Sequence, residues 1–459
     1  MNLFSKEPEE LLVFNGVNAT TGGPLFQPVS VRQVFEGIRR RLRKDRPRPL
    51  PPGIDPRELS QTGWGVIVHR DEDPRVVEAL EPLLQLRREQ AEGRYKQFLG
   101  AEDGHSGQTH KDFLDDVEMG DDPVDPDRLP YYLLLVGDPT RISYDFQQQL
   151  DVQYAVGRIC FDSPEQYRRY AESVVAAETS SAPRSRKAAF WSVRTQGDLA
   201  TELSADRMVE PLARCLVGTA ADGWEVSQTI GDGATKSALG ELLGGRDTPA
   251  VLFTASHGVG FERSDPRQRD QQGALLCQDW PGVQHGIDES HYFCAHDVAA
   301  GADVHGLIAF LFACHGAGVP KVDQFALYER RRRPKPLAAE PFVARLPQHL
   351  LAHPNGGALA VIGHVDRAWA FSFLCRNGGS QLGAFNRVLE LLLKGFPVGC
   401  AMEAFNLKYA KIAADLTLAI QKLHYKEGVG KQEIANLWAA NNDARGYCVV
   451  GDPAVRVAV

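Results

Sequence analysis

Two stretches constrain this chain more than any others. Residues 249–258, PAVLFTASHG, and 306–316, GLIAFLFACHG, each run apolar for several residues and then stop at a small residue followed by a reactive one. A short continuous apolar run bounded by turn residues reads as a strand buried on both faces, the arrangement found in parallel sheets. One run ends at His257 and the other at Cys314. Chemistry collects outside the carboxyl ends of such strands. If the two are neighbours pointing the same way, an imidazole and a thiol emerge at one edge, which is the makings of a Cys-His nucleophile pair.

The residue types suit that task. A free thiol with a pKa near ~8.5 is only slightly ionised at neutral pH, and an adjacent imidazole can take its proton before substrate arrives. Attack on a carbonyl also needs donors for the oxyanion. Gly258 follows His257, and a residue without Cβ allows close backbone approach. The N–H groups of Gly258 and Cys314 are therefore the candidate oxyanion donors, each worth about 3 kcal/mol of barrier when preorganised.

The rest of the chain alternates. Apolar strands are expected at 63–69, 131–136, 188–193 and 223–229, with helices at 73–99, 164–179 and 204–217 between them. Strand-helix-strand order with right-handed crossovers gives an α/β fold on a mostly parallel sheet. After Cys314 come a strand at 356–365, helices near 380–394 and 398–424, and a final strand in YCVVGDPAVRV. The two Gly-Asp-Pro segments, 137–139 and 451–453, read as turns, since neither carries the glycine and lysine pattern of a phosphate loop.

His-Gly after one apolar strand and Ala-Cys after the next resembles the caspase-like cysteine peptidases, the group of caspases, legumain, separase and gingipains. The gingipain-like branch is the most similar: YAVGRI (154–159), GALAVIGHVDRAW (357–369) and VVGDPAVRV (449–457) follow in that family's order. The resemblance implies a caspase-like mostly parallel sheet sandwiched by helices, and a cysteine endopeptidase working through an acyl-enzyme thioester. It implies His257 rather than His315 as the base, because His315 adjoins the nucleophile. It also implies an acid that selects a basic substrate side chain, for which Asp151, six residues before Gly157, and then Asp279 are the candidates, and a pocket-lining tryptophan at Trp369. A catalytically silent caspase-like binding module is the alternative reading.

Three segments are expected: an N-terminal extension over 1–60 with an amphipathic helix at 29–44 and a Pro-rich linker at 46–56; a small α/β subdomain with an acidic connection over 61–129; and the catalytic domain over 130–459. The net charge of −8 disfavours nucleic acid as a partner. MNLFSKEPEELLVF lacks a basic region followed by an apolar one, and no run reaches the ~18 residues that span a bilayer, so a cytoplasmic protein with no membrane contact is expected. Eight cysteines without a CxxC read as reduced thiols. His285, His291, Cys294 and His296 match no zinc spacing, and neither a metal nor another cofactor is expected. The expected partner is a polypeptide substrate. A regulatory protein, or self-processing in the basic loop at Arg330–Arg333, would fit an enzyme that cuts after Arg or Lys.

Overall fold

The computed structural model describes residues 11–12, 29–30, 50–51, 53–99, 105–120, 122–180, 184–219, 223–282, 285–323, 336–374, 379–425, 428 and 430–459. The chain divides into two units, Met1–Pro49 and Leu50–Val459. In the first, Leu11–Leu12 pairs antiparallel with Val29–Ser30; the remainder of the helix expected over 29–44 lies outside the described residues, as does the loop at 330–333.

In the second unit ten strands form one sheet: β1 (Trp64–Val68), β2 (Tyr95–Phe98), β3 (Tyr132–Val136), β4 (Ala155–Ile159), β5 (Lys187–Ser192), β6 (Glu225–Ile230), β7 (Val251–Ala255), β8 (Ile308–Phe312), β9 (Ala360–His364) and β10 (Tyr447–Gly451). Their order across the sheet is β2-β1-β3-β4-β10-β9-β8-β7-β5-β6. Six central strands, β4, β10, β9, β8, β7 and β3, are buried at every position, as strands covered on both faces must be. Helices flank the sheet: α1 (Pro74–Ala91), α2 (Pro164–Thr179), α3 (Leu199–Ser204), α4 (Gly383–Leu393), α5 (Val398–His424) and α6 (Lys431–Arg445) among them. Among the described residues no helix is long and apolar enough to cross a membrane.

Neighbouring strands are parallel throughout this sheet except where β9 meets β10, antiparallel with His364 opposite Tyr447. The last strand therefore enters the middle of the sheet. It joins two parallel halves that point in opposite directions. The carboxyl ends of β7, β8 and β9 consequently share one edge with the amino end of β10, and the segment feeding β10 reaches the same edge as His257 and Cys314.

The 61–129 segment, expected as a smaller subdomain, contributes β1 and β2 to this one sheet. The helix expected over 73–99 begins as the sequence indicates, with Asp73 accepting the Arg75 N–H at 2.9 Å ahead of Pro74. It stops at Ala91, however, because Glu92 takes a φ of 50° and the chain turns into β2. There Tyr95 stacks on Trp64 with ring centroids 5.8 Å apart. Local helical periodicity loses to strand pairing and aromatic contact, which sequence alone does not encode.

Candidate active site

β7 and β8 run parallel with Ala255 opposite Phe312. His257 and Cys314 each lie two residues beyond that pair, past the ends of adjacent strands, with Cys314 in the turn that follows β8. Ser256 extends the pairing by donating its N–H to the Phe312 carbonyl at 3.1 Å.

The Gly258 backbone presses directly against Cys314. A Cβ placed on Gly258 would lie 1.8 Å from the Cys314 carbonyl oxygen and 3.1 Å from its nitrogen. The glycine thus serves close approach to the Cys314 main chain. The N–H groups of Gly258 and Cys314 have no acceptor among the described residues, whereas most backbone donors inside a fold are satisfied. Two neighbouring free donors are what a developing oxyanion needs. Gly258→Ala forces this loop to move; the expected result is alkylation of Cys314 by a peptidyl chloromethylketone slower by about 10²- to 10³-fold, and an unchanged far-UV spectrum.

His257 is partly exposed and its Nε2 lies 2.7 Å from Asp198 Oδ2. Asp198 itself is fixed. It caps α3, accepting the Ala200 N–H at 3.3 Å and the Thr201 hydroxyl at 3.0 Å. A neutral imidazole that donates from Nε2 to this carboxylate keeps Nδ1 free as a proton acceptor. The sequence reading missed Asp198. Its only local signal is the cap pattern after the apolar run AAFWSV, and it reaches His257 because β5 lies beside β7.

On the other side of the sulfur, Cys314 Sγ lies 3.9 Å from the Ala368 carbonyl. The 365–372 segment is held from behind by Asp443, which accepts the Trp369 N–H at 2.8 Å and the Ser372 hydroxyl at 2.7 Å. Ser372 in turn meets the Tyr447 hydroxyl at 2.6 Å, and Val365 donates to the Gly446 carbonyl at 2.7 Å. Trp369 therefore follows directly on the residue that meets Cys314, is partly buried, and lies on a segment anchored by the helix that leads into β10. Burial, with Asp366 nearby, pushes the Cys314 thiol up to about 11.

His315 takes a φ of 60° and gives its N–H to the Asp366 carbonyl at 2.6 Å. Its ring is buried near His364, and burial pushes its pKa down to about 4. It is packed into the interior as a neutral ring.

The two acids expected to select a basic side chain are placed otherwise. Asp151 is buried, with Oδ1 accepting the Val156 N–H at 2.9 Å, and burial pushes its pKa up to about 7. It sits just before β4, three strands from β8 in the sheet order, or about 14 Å at ordinary strand spacing. Asp279 lies on the His257 side and accepts the Lys236 N–H at 2.6 Å at the start of a short helix. The structure brings together His257, Gly258, Cys314 and Trp369, adds Asp198, and leaves Asp151 apart.

A cavity of about 440 Å³ opens at His257 and Gly258 and continues along Val259, Phe261, Leu276, Trp280 and Tyr292.

No family model matches this sequence. No curated protein matches it either. Among solved structures, the Arg-specific cysteine proteinase gingipain R superposes with a TM-score of 0.50 at 15% identity, covering 87% of this chain and 78% of that one. A complex of the pro- and mature domains of Porphyromonas gingivalis RgpB gives 0.50 at 14%, covering 86% and 79%. A further protease structure gives 0.52 at 12%, covering 86% and 78%. At such identities the likeness is one of fold: a mostly parallel sheet flanked by helices, with this strand order, gives the chain the caspase-like α/β fold of the gingipains.

Proposed function

We propose that the chain is a cysteine endopeptidase in which Cys314 is the nucleophile, His257 the base and then the acid, and the Gly258 and Cys314 N–H groups the oxyanion donors. The observation that carries this reading is the convergence at one edge of a thiol, an imidazole oriented by Asp198, and two backbone donors without acceptors. Cys314 Sγ attacks the scissile carbonyl carbon while its proton passes to His257 Nδ1. The oxyanion forms between the two N–H groups. As it collapses, His257 gives the proton to the departing amine, and water then releases the acyl group from the thioester.

Because the thiol is pushed up to about 11, proton transfer accompanies attack and does not precede it. Asp198 then matters twice: it fixes the Nε2–H tautomer and stabilises the imidazolium that forms. Asp198→Asn is expected to lower kcat by about 10²- to 10⁴-fold with little change in KM. The measurement is steady-state turnover of a cleaved peptide, and equal loss in KM would place Asp198 in substrate binding instead.

The raised thiol also favours the second reading, a caspase-like binding module that does not turn over. Fast labelling of Cys314 alone by a peptidyl chloromethylketone supports the peptidase; slow, even labelling of all accessible thiols supports the module. A preference for Arg or Lys is the finer part of the proposal, with Asp151, buried and accepting the Val156 N–H, and Asp279 as its candidate acids. The gingipain neighbour's Arg specificity belongs to that protein. Regulated cleavage of a cytoplasmic partner is consistent with the same chemistry and is tested by the substrates recovered from a Cys314→Ala trap.

A further inference from the structure

We propose that the cavity beside His257 is the subsite for the first residue after the scissile bond, and that it selects a large apolar or aromatic side chain there. The inference rests on the peptidase reading above and names a specificity that reading leaves open.

Direction follows from the proton. The imidazole that activates the thiol must later protonate the leaving amine, so the chain beyond the scissile bond passes over His257. The acyl portion remains with Cys314 and the Ala368–Trp369 segment on the opposite side of the sulfur. The cavity is lined by His257 and Gly258 and by neither Cys314 nor the Ala368–Trp369 segment. It therefore receives the leaving side.

Its chemistry follows from its walls. Val259, Leu276, Trp280 and Tyr292 belong to a small apolar cluster separate from the main core, with Phe261 packed on it. The polar atoms of these walls are engaged: Trp280 Nε1 donates to the His285 carbonyl at 3.1 Å, and the Tyr292 hydroxyl meets Gln271 Oε1 at 2.5 Å. Asp265 is paired with Arg267 at 2.7 Å, and the Arg267 guanidinium lies over the Phe261 ring at 4.8 Å. Glu262 lines the cavity as well as Asp265 and Arg267, and the remaining wall is mostly hydrocarbon and ring surface. Ile287, 43% exposed, lines it too, so apolar surface stands open to water at a position a substrate side chain would cover. A volume of about 440 Å³ admits leucine, phenylalanine or tryptophan.

The thioester offers a direct test, because the subsite is empty once the first product has left. A peptide methyl ester taken from a cleavage screen acylates Cys314, and amino-acid amides compete with water for the thioester. The acceptor's amine attacks the thioester carbon, the C–N bond forms, the C–S bond breaks, and the amine's proton passes through His257 to the sulfur. Phenylalanine amide and leucine amide are expected to capture the acyl group about ten- to a hundred-fold better than glycine amide. Aspartate amide should fall with glycine amide. Trp280→Ala and Ile287→Asp should each flatten the ratio. It is read within each variant, so it does not depend on overall rate, and the exposed Ile287 position guards against misfolding at Trp280. Equal capture of glycine and phenylalanine amides by an enzyme whose Cys314 acylates normally overturns the subsite and leaves the peptidase intact. If intact-mass measurement finds no acyl group on Cys314, the peptidase reading falls and this inference with it.

Discussion

Cys314→Ala is expected to abolish peptide turnover, by about 10⁵- to 10⁶-fold, while leaving the melting transition nearly in place. A loss of 10⁶ corresponds to about 8 kcal/mol of barrier, which the nucleophile alone can account for because the covalent route closes without it. The fold should tolerate the change, since removal of one sulfur from a partly exposed residue at a strand end creates little cavity. His257→Ala should cost almost as much. The double variant should be scarcely worse than either single one, because groups that act as a unit give non-additive losses. Turnover of a cleaved peptide by the three variants, each with a melting curve, checks this. A Cys314→Ala protein that keeps more than a tenth of its activity would end the peptidase proposal, and additive losses would mean that His257 and Cys314 work separately.

The largest effect on stability is expected far from that edge, at Arg87. Its side chain is 1% exposed and its Nε lies 2.8 Å from Asp452 Oδ2, while its two terminal nitrogens reach Glu178 at 2.7 and 2.8 Å. Asp452, wholly buried, also accepts the Trp64 indole N–H at 2.9 Å and the Ala454 N–H at 3.0 Å. One guanidinium thus ties α1 to α2 and to the end of β10, with β1 joined through Trp64. Burial alone would lower the Arg87 pKa, but Asp452 and Glu178 outweigh it and hold it above the usual range. Arg87→Met leaves two carboxylates without their cation, and the expected loss is about 3–5 kcal/mol. It should appear as a lower urea midpoint, with much of the loss recovered in Arg87→Met combined with Asp452→Asn. A midpoint shift below about 1 kcal/mol would mean that water reaches the site and screens it as it does a surface pair.

Asp452 also shows where sequence reasoning stops. VVGDP reads as a turn, and it is one, yet its carboxylate is the hub of a buried network that reaches Arg87 and Trp64, 365 and 388 positions away. Nothing within the turn announces those partners. The same holds for Asp198, separated from His257 by 59 residues. It looks like an ordinary helix cap until β5 is known to lie beside β7. Asp151 is a further case: its proximity to YAVGRI suggested an acid facing substrate, and nothing in the sequence announces that its Oδ1 accepts the Val156 N–H.

The amino-acid order by itself determined the strands, because an unbroken apolar run is legible wherever both faces of a ribbon are covered. With the strands came His257 and Cys314 at their carboxyl ends, since the small residue that closes each run is written next to the reactive one. The direction of β10, the Asp198 carboxylate beside His257 and the cavity lined by His257 and Gly258 were decided only in three dimensions. Each depends on which distant segments become neighbours, and that follows from burying all the ribbons and helices in one arrangement at once.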